Sequence, residues 1–255
     1  MSTQQRVLIT GAGSGIGLAI AEKFLEAGAR VHVADISADA LAKAKAQFPA
    51  LSISVADVGD PVSVDNLFVE ALAALGGLDV LVNNCGIAGP AGPLEECSIE
   101  DWDRCVRVNL SGMFYCLRHA VPVMKTQRSG VILNVSTTSA RTGLPNRLPY
   151  VASKVGVLGL SHNVARELGP WNIRCNTLLP GLMDNARGRG IMARLARERG
   201  TTDAAIEAEF LAHTSMRTWI QMSEVGEMAV FLASDRAKHI TAQQISVDGN
   251  AEWES

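Results

Sequence analysis

Short β-branched runs alternate with longer segments of helical spacing along the whole chain, and this alternation constrains the fold more than any other feature. Val7-Leu8-Ile9, Val31 to Ala34, Leu51 to Ala56, Leu78 to Val82, Val131 to Val135, Ile173 to Leu178 and Gln244 to Val247 read as seven strands. The segments between them, such as Ile16 to Ala27 ending at Gly28, are long enough for crossover helices. Strands that are nearly continuous apolar runs are buried on both faces, which is the habit of a parallel sheet sandwiched by helices. The expectation is one α/β domain over residues 1–255, a doubly wound seven-stranded parallel sheet with helices on both faces. Ser98-Ile99-Glu100-Asp101 has the form of a capping box before one long helix carrying Trp102, Val106 and Leu110. The one irregular stretch, Gly181 to about Arg217, suits a mobile substrate flap at about 182–220, since long insertions in compact domains are usually lids or binding loops.

Composition removes several function classes. Hydrophobic residues at 47% and charged residues at 19% describe a globular chain. A net charge of −3 and a pI near 6.0, with no basic stripe, give no footprint for nucleic acid. No apolar run reaches the ~18 residues of a membrane span. The first residues lead straight into a strand pattern without a signal peptide, so a soluble cytoplasmic protein is expected. The five cysteines contain no C-x-x-C pair, which argues against a disulfide framework or a metal cage and for small buried side chains in a reducing compartment.

Thr10-Gly11-Ala12-Gly13-Ser14-Gly15-Ile16-Gly17 follows the first strand and opens the first helix. Glycines at Gly11, Gly15 and Gly17 let the backbone turn tightly and approach a pyrophosphate, with Ser14 and Ile16 at the positive end of the helix. Asp35 ends the second strand, where a carboxylate can accept bonds from ribose hydroxyls and repel a 2′-phosphate. No Lys or Arg stands at Ser14 or Ile36 to offset that repulsion, so NAD is favoured over NADP. Asp35 also suits a cap for the helix near Ser37, and the two roles can coexist. Asp57, with Val58 beside it, fits an adenine contact or a plain turn equally well.

Tyr150 and Lys154 stand four apart in a helical stretch, Tyr150 to Leu168, and so project from one face. An ammonium beside a phenol favours the phenolate, which makes tyrosine usable as a base for oxidising an alcohol. A surface ion pair has the same spacing, so this signal is weak alone.

The glycine turn, Asn83-Asn84-Cys85-Gly86, Asn109, Ser136-Thr137, Tyr150-x-x-x-Lys154 and Pro180-Gly181 occur in order, and together they resemble the short-chain dehydrogenase/reductase family across essentially the whole chain. The resemblance implies a Rossmann sheet, a nicotinamide cofactor and a homotetramer. It makes Tyr150 the acid/base, with Lys154 holding the nicotinamide ribose and Asn109 supporting a proton relay. Asn83 and Gly86 would line the cofactor, and Pro180, Gly181 and Met183 would pass close to the nicotinamide.

Three departures stand out. Cys85 replaces the usual alanine. Thr137 occupies the position of the usual catalytic serine, thirteen residues before Tyr150, with Ser136 and Ser139 as alternates for the hydroxyl. Asn185 stands where a threonine often binds the nicotinamide amide.

Arg141, Arg147, Arg187, Arg189 and Arg217 fall in the segments that form the pocket in such enzymes. Arg147, Arg187 and Arg217 are the candidates for a substrate carboxylate, with Ser136 and Ser139 near the reacting oxygen. The loop from Arg141 to Tyr150 and the ending Val247-Asp248-Gly249-Asn250 resemble a sugar-acid and polyol branch, including 2-keto-3-deoxy sugar-acid dehydrogenases. The alternatives are a dehydrogenase of neutral polyols or cyclic ketones, for which Trp171, Trp219 and Met183 are the suggestive residues, and a non-catalytic NAD-binding sensor. Glu252-Trp253-Glu254 reads either as a polar tail or as a segment reaching a neighbouring subunit.

Overall fold

A computed structural model of the chain describes residues 4–252. The elements follow in order as β1 (Arg6–Thr10), α1 (Gly15–Glu26), β2 (Arg30–Asp35), α2 (Ala38–Gln47), β3 (Ser52–Val55), α3 (Pro61–Leu75) and β4 (Val80–Asn83). Then come α4 (Ile99–Val106), α5 (Gly112–Gln127), β5 (Gly130–Val135), α6 (Ser139–Thr142), α7 (Leu148–Leu168) and β6 (Ile173–Pro180). The last are α8 (Ala186–Arg199), α9 (Asp203–Ala212), α10 (Met222–Ala233) and β7 (Gln244–Val247).

All seven strands pair in parallel in the order β3-β2-β1-β4-β5-β6-β7. The chain winds outward one way from β1 and then the other way from β4. The crevice between the carboxyl ends of β1 and β4 is therefore the switch point at which a doubly wound sheet binds its ligand. The expected architecture is found, and its strand alternation explains why. Val7 and Ile9 of β1, Val33 of β2 and Val82 of β4 pack with Ile20 and Phe24 of α1 and Val225 and Leu232 of α10. Leu8, Leu81 and Ile132 share a second core with Leu67 and Phe68 of α3, Leu117 and Met124 of α5, and Ala165 of α7. A third, small core of Met192, Ala196 and Ile206 lies between α8 and α9.

Two expectations need correcting. The stretch after β6 is not irregular: it forms α8 and α9, capped by Asn185 Oδ1 on the Gly188 N–H and by Thr202 Oγ1 on the Ala205 N–H. The single long helix after Ser98 is interrupted. Ser98 does cap α4, its Oγ accepting from the Asp101 N–H at 3.1 Å, but Arg107–Ser111 forms a π-helical turn before α5 begins.

Among the described residues no helix is long and apolar enough to cross a membrane. All five cysteines are free thiols. Burial pushes the thiols of Cys116 and Cys175 up to about 12 and that of Cys85 to about 11, so these three stay protonated near neutral pH.

Candidate active site

The crevice at the switch point is built from two segments held together by Asn84. Its Nδ2 donates to the carbonyls of Thr10 at 3.1 Å and Gly11 at 2.8 Å, while Thr10 Oγ1 accepts from the Asn84 and Cys85 N–H groups. The glycine turn is thereby pinned to the end of β4. Packing forces glycine here: a Cβ at Gly11 would fall 2.7 Å from the Cα of Cys85, and one at Gly17 would fall 2.5 Å from the Gly11 carbonyl oxygen. At Gly15, with φ of +61°, the missing side chain leaves open space beside the first turn of α1. The Ser14 side chain makes no cap bond there, and the first N–H groups of a helix have no partner within it. Backbone donors, open space and the positive end of α1 fit a pyrophosphate.

Asp35 closes this side of the crevice. Its Oδ2 accepts from the Gly13 N–H and its Oδ1 from the Ser37 N–H, each at 3.0 Å. Ser37 in turn caps α2 through the Ala40 N–H. The carboxylate thus braces the turn and the entry to α2 together, as the sequence allowed. Asp57 acts as a turn residue, its Oδ1 accepting from the Gly59 N–H at 2.8 Å, and Val58 is buried in the second core.

The chemical groups converge at the ends of β4 and β5 and on α7. Lys154, 3% exposed, donates from Nζ to the Val135 carbonyl at 2.8 Å, and the Lys154 carbonyl accepts from Ser136 Oγ at 2.8 Å. The end of β5 and the second turn of α7 are stapled reciprocally. Asn109, fully buried in the π-turn, holds the Ile87 backbone from both sides: its Oδ1 accepts from the Ile87 N–H at 2.7 Å and its Nδ2 donates to the Ile87 carbonyl at 2.9 Å. The same Nδ2 donates to Ser153 Oγ at 3.0 Å, and Ser153 donates to the Tyr150 carbonyl at 2.7 Å. Gly86 lies against this cluster, since a Cβ there would meet Asn109 Oδ1 and Lys154 Nζ, each at 3.2 Å.

Thr137 Oγ1 accepts from the Ser139 N–H at 3.3 Å, which orients the oxygen and leaves the hydroxyl hydrogen to donate elsewhere. Ser136 is different. Its hydroxyl is buried and committed to α7, so it does not face a substrate as expected. The Asn83 side chain also turns away from the crevice: it is 1% exposed and donates to Asn134 Oδ1 at 2.9 Å within the sheet. The neighbouring Asn84, which the sequence did not single out, carries the structural load at that point. Met183 is buried in the first core, and its backbone bridges to Ile220. Asn185 spends its side-chain oxygen on the α8 cap. A Cβ at Gly181 would fall 2.5 Å from the Asp248 side chain, so the backbone after Pro180 lies close to the end of β7.

Beside this cluster lies a cavity of about 520 Å³. Ser139, Arg147, Gly181 and Leu182 line it on the side of the catalytic groups, and Ile191, Met192, Arg194, Leu195, Glu198, Phe210 and His213 line it from α8, α9 and the turn after α9. Thr137, Tyr150 and Lys154 are not among its lining residues; the cavity abuts them through Ser139 and Gly181.

Of the arginines expected in the pocket, Arg147 lines it, with Nη1 donating to the Gly89 carbonyl at 3.3 Å. Arg141 instead reaches β7, where it binds Ser246 Oγ and the Gln244 carbonyl. Arg189 is engaged by Asp184 and Glu207, both at 2.9 Å, and stacks 4.2 Å over the Trp219 ring. Arg217 is exposed and donates to the Ala212 carbonyl, outside the cavity. The Arg187 side chain and Trp253 lie outside the described residues. Trp171 is a surface residue under Lys125 and Arg128, away from the cavity.

Comparison with known proteins agrees with this geometry. Residues 11–250 match the family model described as enoyl-(acyl carrier protein) reductase. Levodione reductase of Leifsonia aquatica is 32% identical over 253 residues, covering 97% of this chain and 94% of its own. The structure of an NAD⁺-bound xylitol dehydrogenase superposes with a TM-score of 0.91 at 26% identity, over 98% of this chain and 100% of that one. Actinorhodin polyketide ketoreductase with NADPH gives 0.92 at 27% identity, over 98% of this chain and 97% of that one.

Proposed function

The chain belongs to the short-chain dehydrogenase/reductase family, whose members interconvert alcohols and ketones with a nicotinamide cofactor, and from that premise we propose that it is an NAD-dependent dehydrogenase of a secondary alcohol bearing a carboxylate. One observation carries the reading. Thr137, Tyr150 and Lys154 meet where β5 joins α7, and the cavity beside them has Arg147 in its wall.

Gly11, Ser14, Gly15, Ile16 and Gly17 would hold the pyrophosphate, Asp35 the adenosine ribose, and Lys154 the nicotinamide ribose. Asp57, Gly86, Pro180 and Gly181 border the same groove. Bound there, the nicotinamide supplies a hydride acceptor or donor. The protein does the rest. Thr137 donates to the substrate oxygen and fixes its position. Tyr150 takes the hydroxyl proton during oxidation and returns it during reduction. Lys154, anchored on Val135, places a positive charge beside Tyr150, and Asn109 and Ser153 hold the start of α7 so that Tyr150 stays in register.

NAD is supported by Asp35, whose carboxylate opposes a 2′-phosphate. A carboxylate on the substrate is supported by Arg147, and a sugar acid such as a 2-keto-3-deoxy acid is the class that the Arg141–Tyr150 loop suggests. A second reading, a neutral cyclic ketone or alcohol, is favoured by the apolar residues Leu144, Leu182, Leu195 and Phe210 in the cavity. We place the enzyme in the cytoplasm as a homotetramer. Exposed Trp102, Phe114 and Val155 on α4, α5 and α7 supply apolar surface for subunit contacts.

The test is NADH formation with secondary alcohols paired with and without a carboxyl group, on wild type and Tyr150→Phe. The expected result is a preference for acids, and a loss of at least about 10²-fold in kcat in the variant with NAD binding retained. Turnover of neutral alcohols alone would select the second reading. NAD binding without any turnover would make the chain a sensor.

A further inference from the structure

We infer that α8 and α9 form a subsite for an apolar substrate body, so that the substrate is an amphipathic hydroxy or keto acid and not a polyhydroxylated one. This rests on the carboxylate reading above and adds the chemistry of the remaining carbon skeleton.

The cavity wall is written along one face of α8. Gly188, Ile191, Met192 and Leu195 follow helical spacing, so they point the same way. Behind them Met192, Ala196 and Ile206 form the small third core, against which Leu182, Leu195 and Phe210 pack while only half buried. Their remaining surface faces the cavity, where a ligand would remove it from water. A cavity of about 520 Å³ is in the range that encloses a ligand larger than a short hydroxy acid.

The polar groups along this wall already have partners. Arg194 Nε lies 3.6 Å from Glu198 Oε1. Thr214 Oγ1 donates to the Leu211 carbonyl at 3.0 Å. Arg189, on the same helix, is held by Asp184 and Glu207. A row of substrate hydroxyls laid against Ile191, Leu195 and Phe210 would lose water without gaining hydrogen bonds, and burial of an unsatisfied polar group is unfavourable. Methylenes laid there would gain. Ser139, Arg147 and Thr137 supply the polar end, where the reacting oxygen and the carboxylate belong.

The experiment measures kcat/KM with NAD for racemic straight-chain 3-hydroxy acids of increasing length, for the matching alcohols without the carboxyl group, and for sugar acids of equal carbon number. The expected result is a rise of about fourfold per added methylene until the wall is covered, with sugar acids below chain-matched hydroxy acids. Leu195→Gln, checked for folding by its thermal transition, flattens that slope. Thermal stabilisation by the same acids in the presence of NADH gives a second readout that does not need turnover, and it should grow with chain length. A slope that is flat or falling in both readouts, or sugar acids above the chain-matched hydroxy acids, overturns the subsite. If neutral alcohols rise as steeply as the acids and are used as well, the subsite stands and the carboxylate reading fails.

Discussion

The side-chain amide of Asn109 donates to the hydroxyl of Ser153 at 3.0 Å, across 44 residues of sequence. That bond ties the π-turn to the helix carrying Tyr150 and Lys154. Because Ser153 passes its own proton to the Tyr150 carbonyl, the residue adjusts the start of α7 without touching substrate. Ser153→Ala should lower kcat about fivefold, the equivalent of one hydrogen bond of ~1 kcal/mol, with the KM for NAD unchanged. Equal losses in kcat and in NAD affinity would show a general loosening of the fold instead.

Ser136 and Thr137 are adjacent hydroxyls with different duties. Ser136→Ala removes the bond to the Lys154 carbonyl and should cost ~1 kcal/mol of stability while turnover persists. Thr137→Val keeps the shape but removes the donor, so kcat should fall by about 10² or more, and Thr137→Ser should restore it. Steady-state kinetics beside thermal melts separates the two, and the assignment fails if Ser136→Ala is the variant that loses turnover.

Asp35 is the main determinant of cofactor choice in this groove. Asp35→Asn leaves an oxygen acceptor for the Gly13 or Ser37 N–H but removes the charge. The ratio of kcat/KM for NAD to that for NADP should drop about tenfold, a change of ~1.4 kcal/mol. An unchanged ratio would mean that the carboxylate serves the turn alone.

His32 makes acid stability predictable. It is 2% exposed on β2, between Ser52 Oγ and Ser54 Oγ at 2.9 Å each, and burial pushes its pKa down to about 4 from the ordinary 6.5. Between those values the unfolded chain binds the proton that the folded chain refuses. Stability is therefore full above about pH 6.5 and declines as the pH falls toward about 4, by on the order of 3 kcal/mol. Chemical denaturation across that window should show a shallower decline in His32→Gln than in wild type.

Much of this was legible in the residues because it is local. Strand alternation and glycine spacing act within a few positions, and they predicted the seven parallel strands, the crevice and the two-sided core. The helical spacing of Ile191, Leu195, Ile206 and Phe210 also hinted at α8 and α9. Long side chains were harder. Arg141 and Arg217 fall in pocket-forming segments by sequence, but a long, flexible side chain can reach several partners, and these two found carbonyls elsewhere. Asn83 and Asn84 are adjacent and chemically identical. Only the end of β4 between them decides that one enters the sheet and the other holds the glycine turn. The π-turn was hidden because Val106 and Leu110 continue a plausible helical stripe straight through it.

That π-turn makes this part of the chain far more sensitive to length than to identity. An α-helix rotates by about 100° per residue, so one residue of surplus in a turn slips the phase of everything that follows. Met113, Cys116 and Ala120 are buried on α5 because the slip at Arg107–Ser111 brings them round to the sheet after Cys105 has met α7. Deleting a single residue there would regularise the helix and swing those side chains out of the core together. A substitution in the same five positions disturbs one contact; a deletion miskeys the sixteen residues of α5 downstream.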